Sequence, residues 1–208
     1  MIRNCEASVD VVVMQATAPR HMAIVRITHW IVVLSVVGLL ASGIGILVSH
    51  PRLYWGETGA VGTPSLINLP IPFIIGPSVW NRPFHFFFAW ILVLTGLAYV
   101  AGGWKRPETD AAWSYNAVQR LTYLAVVFVV FPGIIWTGLG MSFGITSVFP
   151  FLATAVGGFQ SVRTLHFFFV VLLLIFVAGH VTMVALEGFW RNVRAMITGY
   201  LPEGTRNG

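Results

Sequence analysis

The chain has 208 residues, of which 57% are hydrophobic and only 9% are charged. A water-soluble domain carries about 25% charged residues, so this composition excludes an ordinary soluble protein and indicates a surface that faces lipid. In such a protein, the formal net charge of +5 reports lysine and arginine on the cytoplasmic side of the membrane. We therefore expect membrane lipid as a partner and no nucleic acid.

Four stretches lack Asp, Glu, Lys and Arg over the roughly twenty residues that a spanning helix needs. In chain order they are residues 27–48, 84–102, 121–140 and 164–186. The apolar segments 65–80 and 143–156 contain prolines, which would leave backbone groups unpaired in hydrocarbon, so we interpret them as interfacial loops. The sequence predicts an all-α integral membrane four-helix bundle, with one domain over residues 1–208.

The distribution of basic residues predicts the orientation of the bundle. Nine of the 12 lysines and arginines fall in the N-terminal tail, in the connection after the second span, or in the C-terminal segment. The three on the other side are Arg52, Arg82 and Arg163. We therefore expect both termini in the cytoplasm, with the connection 49–83 as the main extracytoplasmic feature.

Four of the six histidines lie within the predicted spans, where ionisable residues are rare and usually functional. They are His29 in the first span, His85 in the second, and His166 and His180 in the fourth. The fourteen residues between His166 and His180 correspond to about 21 Å along a helix and to faces within about 40° of each other. Because successive spans run in opposite directions, His29 shares the cytoplasmic depth of His180, and His85 shares the outer depth of His166.

Three of these histidines follow an arginine by three residues: Arg26–His29, Arg82–His85 and Arg163–His166. At this spacing the arginine lies on the face of the histidine, one turn nearer the membrane surface. Paired imidazoles form a six-coordinate b-type haem site suited to electron transfer, and the arginines supply cations at the headgroup level where haem propionates lie. His180 has no arginine at this spacing. We predict two haem b groups, one held by His29 with His180 and the other by His85 with His166.

Each of these features also has a simpler explanation. An intramembrane histidine can hydrogen-bond a neighbouring helix, and an arginine beside a span can be an interfacial anchor. Small residues in the spans could clear room for a macrocycle or serve helix packing: Gly38, Ser42, Gly45, Gly96, Gly133, Gly138 and Gly179. His21 and His50 are interpreted as solvated loop residues. Pro132 is expected to kink the third span, which contains no histidine.

The chain resembles the bacterial cytochrome b561 family in three features. They are the segment Arg26-Ile27-Thr28-His29-Trp30, the histidine at the start of the second span, and the fourteen-residue spacing of the two histidines in the fourth span. That family includes the haem b subunits of nickel hydrogenases, formate dehydrogenases and thiosulfate reductases. The segments 49–51, 53–57, 160–167 and 189–199 are similar to membrane cytochromes that accompany periplasmic molybdopterin oxidoreductases. The resemblance implies the same four haem ligands and a location in the bacterial inner membrane.

The resemblance also implies electron transfer between the quinone pool and an extracytoplasmic redox partner, which would dock on the connection 49–83. A quinone substrate needs hydrogen-bonding groups near a haem edge. The candidates are Arg26, Trp30, Trp190 and Arg194 on the cytoplasmic side, and Trp80 and Arg163 on the other.

Three functions are open at this point. The first is a quinone-linked dihaem electron carrier, which the histidine pattern favours. The second is a stand-alone superoxide:ubiquinone oxidoreductase, which would need a strongly positive outer face to attract the anion. The third is a haem-free transporter or membrane anchor, against which the absence of charged residues in the spans argues. The sequence decides neither the direction of electron flow nor whether the chain is an enzyme by itself or an electron-transfer subunit.

Overall fold

The computed structural model describes residues 22–59, 62–73, 78–103 and 117–200 of the chain. The N-terminal tail with His21, the connection with Lys105 and Arg106, and the C-terminal residues 201–208 lie outside the described residues.

The described residues are almost entirely helical. The helices are α1 (Ala23–Ser49), α2 (Ser78–Gly103), α3 (Ala117–Ala125), α4 (Phe131–Gly140), α5 (Phe143–Thr146), α6 (Phe151–Thr154), α7 (Phe159–Leu186) and α8 (Phe189–Thr198). Four segments are long and apolar enough to cross a membrane: Ala23–Ser49, Val79–Ala101, Leu121–Gly140 and Phe159–Leu186. The prediction of an all-α membrane bundle with four spans is therefore confirmed.

The helical segments of all four spans begin four to six residues before the predicted start. The prediction counted only residues without charge, so each predicted span starts after the arginine that precedes it. The helix includes that arginine, because a long arginine side chain can lie within the helix and still reach the membrane surface. In α2 the helix also includes Pro83. Trp80 and Arg82, which the sequence placed in the loop 49–83, therefore lie in the first turns of α2.

The third span changes its helical pattern in the middle. A π-helical turn, Val126–Val130, joins α3 to α4, and the N–H of Phe131 donates to the carbonyl of Val126, five residues back. Pro132 follows directly, and a proline ring crowds the carbonyl four residues before it. The wider π-turn relieves that crowding, so the predicted irregularity at Pro132 takes the form of a local π-turn.

The chain packs as two compact units. The first consists of Met1–Leu40, Phe84–Arg106 and Thr182–Gly208, and the second of Ala41–Pro83 and Pro107–Val181. The first unit therefore contains His29 and His85, and the second contains His166 and His180. The prediction of one domain over the whole chain stays a prediction.

Within the second unit, the loop after α1 is fixed to the start of α7. Two short strands, β1 (Arg52–Leu53) and β2 (Ile67–Asn68), pair antiparallel in the loop. The next residues bond to α7: the carbonyl of Tyr54 accepts from Thr164 Oγ1 at 2.6 Å, and the N–H of Gly56 donates to Ser161 Oγ at 2.8 Å.

We call residues 50–57 together with 157–164 the loop–α7 junction. Four of its side chains are at most 1% exposed: Leu53, Ser161, Val162 and Thr164. Gly158, at φ 119°, is essential to this packing, because a Cβ there would lie 2.5 Å from Glu57 Cδ and 2.8 Å from the Glu57 backbone. The junction therefore requires glycine at this position.

Replacing Gly158 with alanine should destabilise the protein by about 2–3 kcal/mol, through left-handed strain plus a clash with backbone. The matched control is Gly62→Ala, which has a similar φ of 98° and nothing within 4 Å of the added Cβ among the described residues. Thermal unfolding in mild detergent, followed by circular dichroism, should show a clearly larger decrease in Tm for Gly158→Ala. Equal decreases would show that the close approach to Glu57 contributes nothing.

Candidate functional site

The structure places all four intramembrane histidines in spanning helices, as predicted. His29 lies in α1, His85 in α2, and His166 and His180 in α7. Each side chain is half-buried rather than fully covered. A hydrogen bond to one ring nitrogen favours ligation by such an imidazole, because it orients the ring and fixes the tautomer.

The ring of His166 is oriented by a threonine of the third span. Thr137 Oγ1 lies 2.9 Å from His166 Nδ1 and donates its own proton to the carbonyl of Gly133 at 2.6 Å. Since the hydroxyl proton is used in that bond, the oxygen accepts from the Nδ1–H of His166. This tautomer places the lone pair of His166 on Nε2, the nitrogen that a metal would take.

His85 has a comparable arrangement within the first unit. Its ring hydrogen-bonds the backbone of Leu39 in α1, which is a fixed acceptor because helix carbonyls move little. The bond assigns a proton to one ring nitrogen and the lone pair to the other.

The two remaining rings contact aromatic side chains. His29 meets Trp30 edge-on, with ring centroids 5.7 Å apart. His180 stacks on Phe176 at 6.1 Å and 22°, and Phe176 in turn packs edge-on against Tyr123 of α3 at 5.8 Å. These contacts restrict ring rotation, although less than a hydrogen bond does.

The three Arg-x-x-His arginines differ in their contacts. Arg26 donates from a terminal nitrogen to the carbonyl of Ile197 at 2.7 Å, while its Nε is buried without a hydrogen-bond partner among the described residues. Arg163 donates to the carbonyl of His50 and, at 3.3 Å, to Gln160 Oε1. The side chain of Arg82 is exposed. An anionic group such as a propionate is thus best supported at Arg26, whereas Arg163 also serves the loop–α7 junction.

Five of the seven small residues named in the spans fall into two groups. A Cβ on Gly38 would lie 2.4 Å from Phe88, one on Gly45 1.9 Å from Asn81, and one on Gly133 2.5 Å from Phe169. These three glycines admit a neighbouring side chain. At Gly96 and Gly179 a Cβ meets no described atom within 4 Å, so these two positions offer the clearance that a flat macrocycle would need.

The quinone candidates of the first unit are partly brought together. Trp30 Nε1 donates to the carbonyl of Met196 at 3.3 Å, and Arg26 binds the next carbonyl of α8. Trp190 is 79% exposed and Arg194 is exposed as well, so only the first pair forms a close cluster. Trp80, in the second unit, is 73% exposed.

The sequence missed two groups that orient the ligands, Thr137 and the backbone of Leu39. Thr137 carried no distinguishing signal, because a hydroxyl in an apolar helix ordinarily bonds its own helix. A backbone group cannot be identified from residue type at all.

These features define a class: a multi-pass membrane protein that holds oriented imidazoles inside apolar helices, as membrane cytochromes b do. The sequence profile of prokaryotic cytochrome b561 matches residues 20–199. The chain belongs to this family, and it is a membrane haem b protein of electron transport in the bacterial inner membrane. The resemblance recognised in the sequence is confirmed.

The chain is also similar to a protein of Azospira oryzae named "putative protein-methionine-sulfoxide reductase subunit YedZ1". The two are 29% identical over 212 residues, which cover 86% of this chain and 96% of the relative. No solved structure gives a significant match.

The Thr137 hydroxyl makes a testable contribution to the site. On the prediction that His166 is a haem ligand, Thr137→Val removes the acceptor that orients the ring and makes the ring less basic. Haem retention should then weaken by about tenfold and the midpoint potential should increase. Redox titration followed by absorption measures both effects. The matched control is Thr95→Val, because the Thr95 hydroxyl donates to the carbonyl of Ile91 in its own helix at 2.7 Å. An unchanged potential in Thr137→Val would contradict the assignment.

His50, outside the spans, gives a pH-dependent contribution to stability. Burial lowers the pKa of His50 below its ordinary value of 6.5, and the charges of Arg163 and, less strongly, Arg82 lower it further. A hydrogen bond to the carbonyl of Ile46 acts in the opposite direction and raises it. The unfolded chain therefore binds a proton at this position more readily, and stability decreases as the pH falls below about 6.5. His50→Gln should decrease the loss of Tm between pH 7.5 and pH 5.0, and equal losses in both proteins would contradict this.

Proposed function

We propose that this protein is a dihaem cytochrome b that carries electrons across the membrane between the quinone pool and an extracytoplasmic redox protein. His29 with His180 and His85 with His166 are the proposed axial ligands, a pairing that rests on their depths in the sequence. The observation that carries the proposal is the Thr137–His166 hydrogen bond, because it holds an intramembrane imidazole in the tautomer suited to iron.

The proposed roles of the side chains follow from their contacts. When bound, haem supplies one-electron oxidation and reduction. Thr137 and the backbone of Leu39 hold the rings of His166 and His85 in fixed tautomers. Arg26, with a buried nitrogen that lacks a partner among the described residues, would neutralise a propionate near His29. The apolar spans keep water from the ligands, which favours electron transfer over side reactions.

A quinone is the proposed electron donor or acceptor on the cytoplasmic side. Arg26, near His29, keeps an Nε–H with no hydrogen-bond partner among the described residues, and a donor of this kind suits a quinone carbonyl. Trp30 is a weaker candidate, because its single N–H already donates to the carbonyl of Met196. Trp190, Arg194, Trp80 and Arg163 stay weaker candidates, since their side chains are either exposed or engaged elsewhere.

The proposed partner is an extracytoplasmic oxidoreductase, of which a molybdopterin enzyme is one possible type. The support is the Azospira oryzae relative, named as a putative subunit of a protein-methionine-sulfoxide reductase. The loop 49–83 offers large exposed apolar side chains for docking, namely Trp55, Leu66 and Phe73. A reductase partner consumes electrons, so the proposed flow is from quinol outward.

The other two functions receive less support. Membership of a haem b family argues against a haem-free transporter or anchor. The superoxide reaction would need a strongly positive outer face to draw in an anion, and the sequence assigns only three arginines to that face, Arg52, Arg82 and Arg163.

Single histidine variants test the ligand assignment. His29→Ala and His180→Ala should each remove the same haem, and His85→Ala and His166→Ala the other, so that every variant retains about half of the wild-type haem. Pyridine haemochrome analysis gives the amount, and the reduced-minus-oxidised spectrum identifies the haem that is left.

The matched control is His50→Ala, which changes a histidine outside the spans and should retain both haems. Full haem content in any of the four ligand variants would exclude that ligand. Reduction of the purified protein by a quinol, measured from the same absorption bands, tests the quinone assignment separately.

A further inference from the structure

The C-terminal helix α8 has an exposed surface on which the proposed electron transfer has only two weaker quinone candidates, Trp190 and Arg194. Only Glu187 and Gly188 separate its first residue from the last residue of the spanning helix α7. Gly188 adopts a left-handed conformation with φ 107°, so the chain changes direction between the two helices. With so short a connection, α8 begins at the depth at which α7 ends, and its other end is bonded to Arg26 and Trp30 near the start of α1.

Hydrogen bonds within the first unit fix how α8 is rotated. At its C-terminal end, Arg26 and Trp30 bind the carbonyls of Ile197 and Met196. At its other end, Asn192 Nδ2 donates to the carbonyl of Val184 at 3.5 Å. Ala195, at 1% exposure, marks the packed side, so the opposite side of the helix faces outward.

The outward side carries an apolar arc next to a basic arc. At about 100° per residue, Phe189, Trp190 and Ile197 lie within one arc of about 100°, and they are 44%, 79% and 59% exposed. Arg194 and then Arg191, about 60° apart, continue round the helix from that arc and are both exposed. Arg191 lies about 40° from Ala195 and also donates to the carbonyl of Glu187. α8 itself contains no acidic residue.

We propose that α8 lies in the plane of the membrane surface and binds the headgroups of anionic phospholipids. Trp190 and Ile197 would enter the boundary between headgroups and acyl chains, and Arg191 and Arg194 would bind the lipid phosphates. An apolar arc beside arginines is the pattern of a helix that lies at an interface, and the positive charge complements an anionic leaflet.

Native mass spectrometry of the full-length protein can test this proposal, with added phosphatidylglycerol or phosphatidylcholine as probes. The wild-type protein should retain phosphatidylglycerol preferentially, and the double variant Arg191→Gln/Arg194→Gln should bind it about tenfold more weakly. The charge-preserving variant Arg191→Lys/Arg194→Lys should stay close to wild type. Arg52→Gln, an exposed arginine on β1, is the matched control and should retain the preference.

Several results would overturn the proposal. One is equal binding of the two lipids by the wild type, and another is an unchanged preference in the double glutamine variant. Haem absorption reports whether each variant is folded. If the glutamine variant does not fold, the wild type is treated with 0.5 M NaCl instead. The salt should release phosphatidylglycerol, because it screens an exposed charge contact. Continued retention of the lipid would overturn the proposal as well.

Discussion

Hydrocarbon offers a polar group no partner, and this constraint decides how every polar side chain in the spans is used. Several hydroxyls in the spans find an acceptor within their own helix: Thr28, Ser35 and Thr95 each donate to a carbonyl of that helix. Thr137 does the same and, with its proton thus committed, accepts from His166. A bond that satisfies a threonine therefore also determines the chemical state of a histidine.

The same constraint explains why arginines at equal spacing perform different tasks. Each begins a span one turn from a histidine, but its guanidinium takes whatever acceptors the local fold supplies. Arg163 donates to the backbone carbonyl of His50 and to the side-chain oxygen of Gln160. Arg26 donates to one carbonyl, and its buried Nε has no hydrogen-bond partner among the described residues. A sequence motif thus fixes where a cation lies without fixing what the cation binds.

The number of spans and the histidines inside them could be predicted because both depend on residue type and on helical spacing alone. Helix starts were missed by a few residues, since an absence of charge does not mark where a helix begins when an arginine can reach the surface. Thr137, the backbone of Leu39 and the bond from Thr164 to Tyr54 could not be predicted. They depend on contacts between distant parts of the chain, and nothing in the residues themselves distinguishes them.

The loop–α7 junction sets an order on how the protein is made. Gly56 and Ser161 are 105 residues apart, and Tyr54 and Thr164 are 110 apart. The loop leaves the first span early in synthesis, but the hydroxyls and the glycine that complete it arrive only with the fourth. Contacts of such long sequence separation form late. The loop after α1 can reach its final shape only once the last spanning helix is in place, so its conformation reports a completely assembled chain.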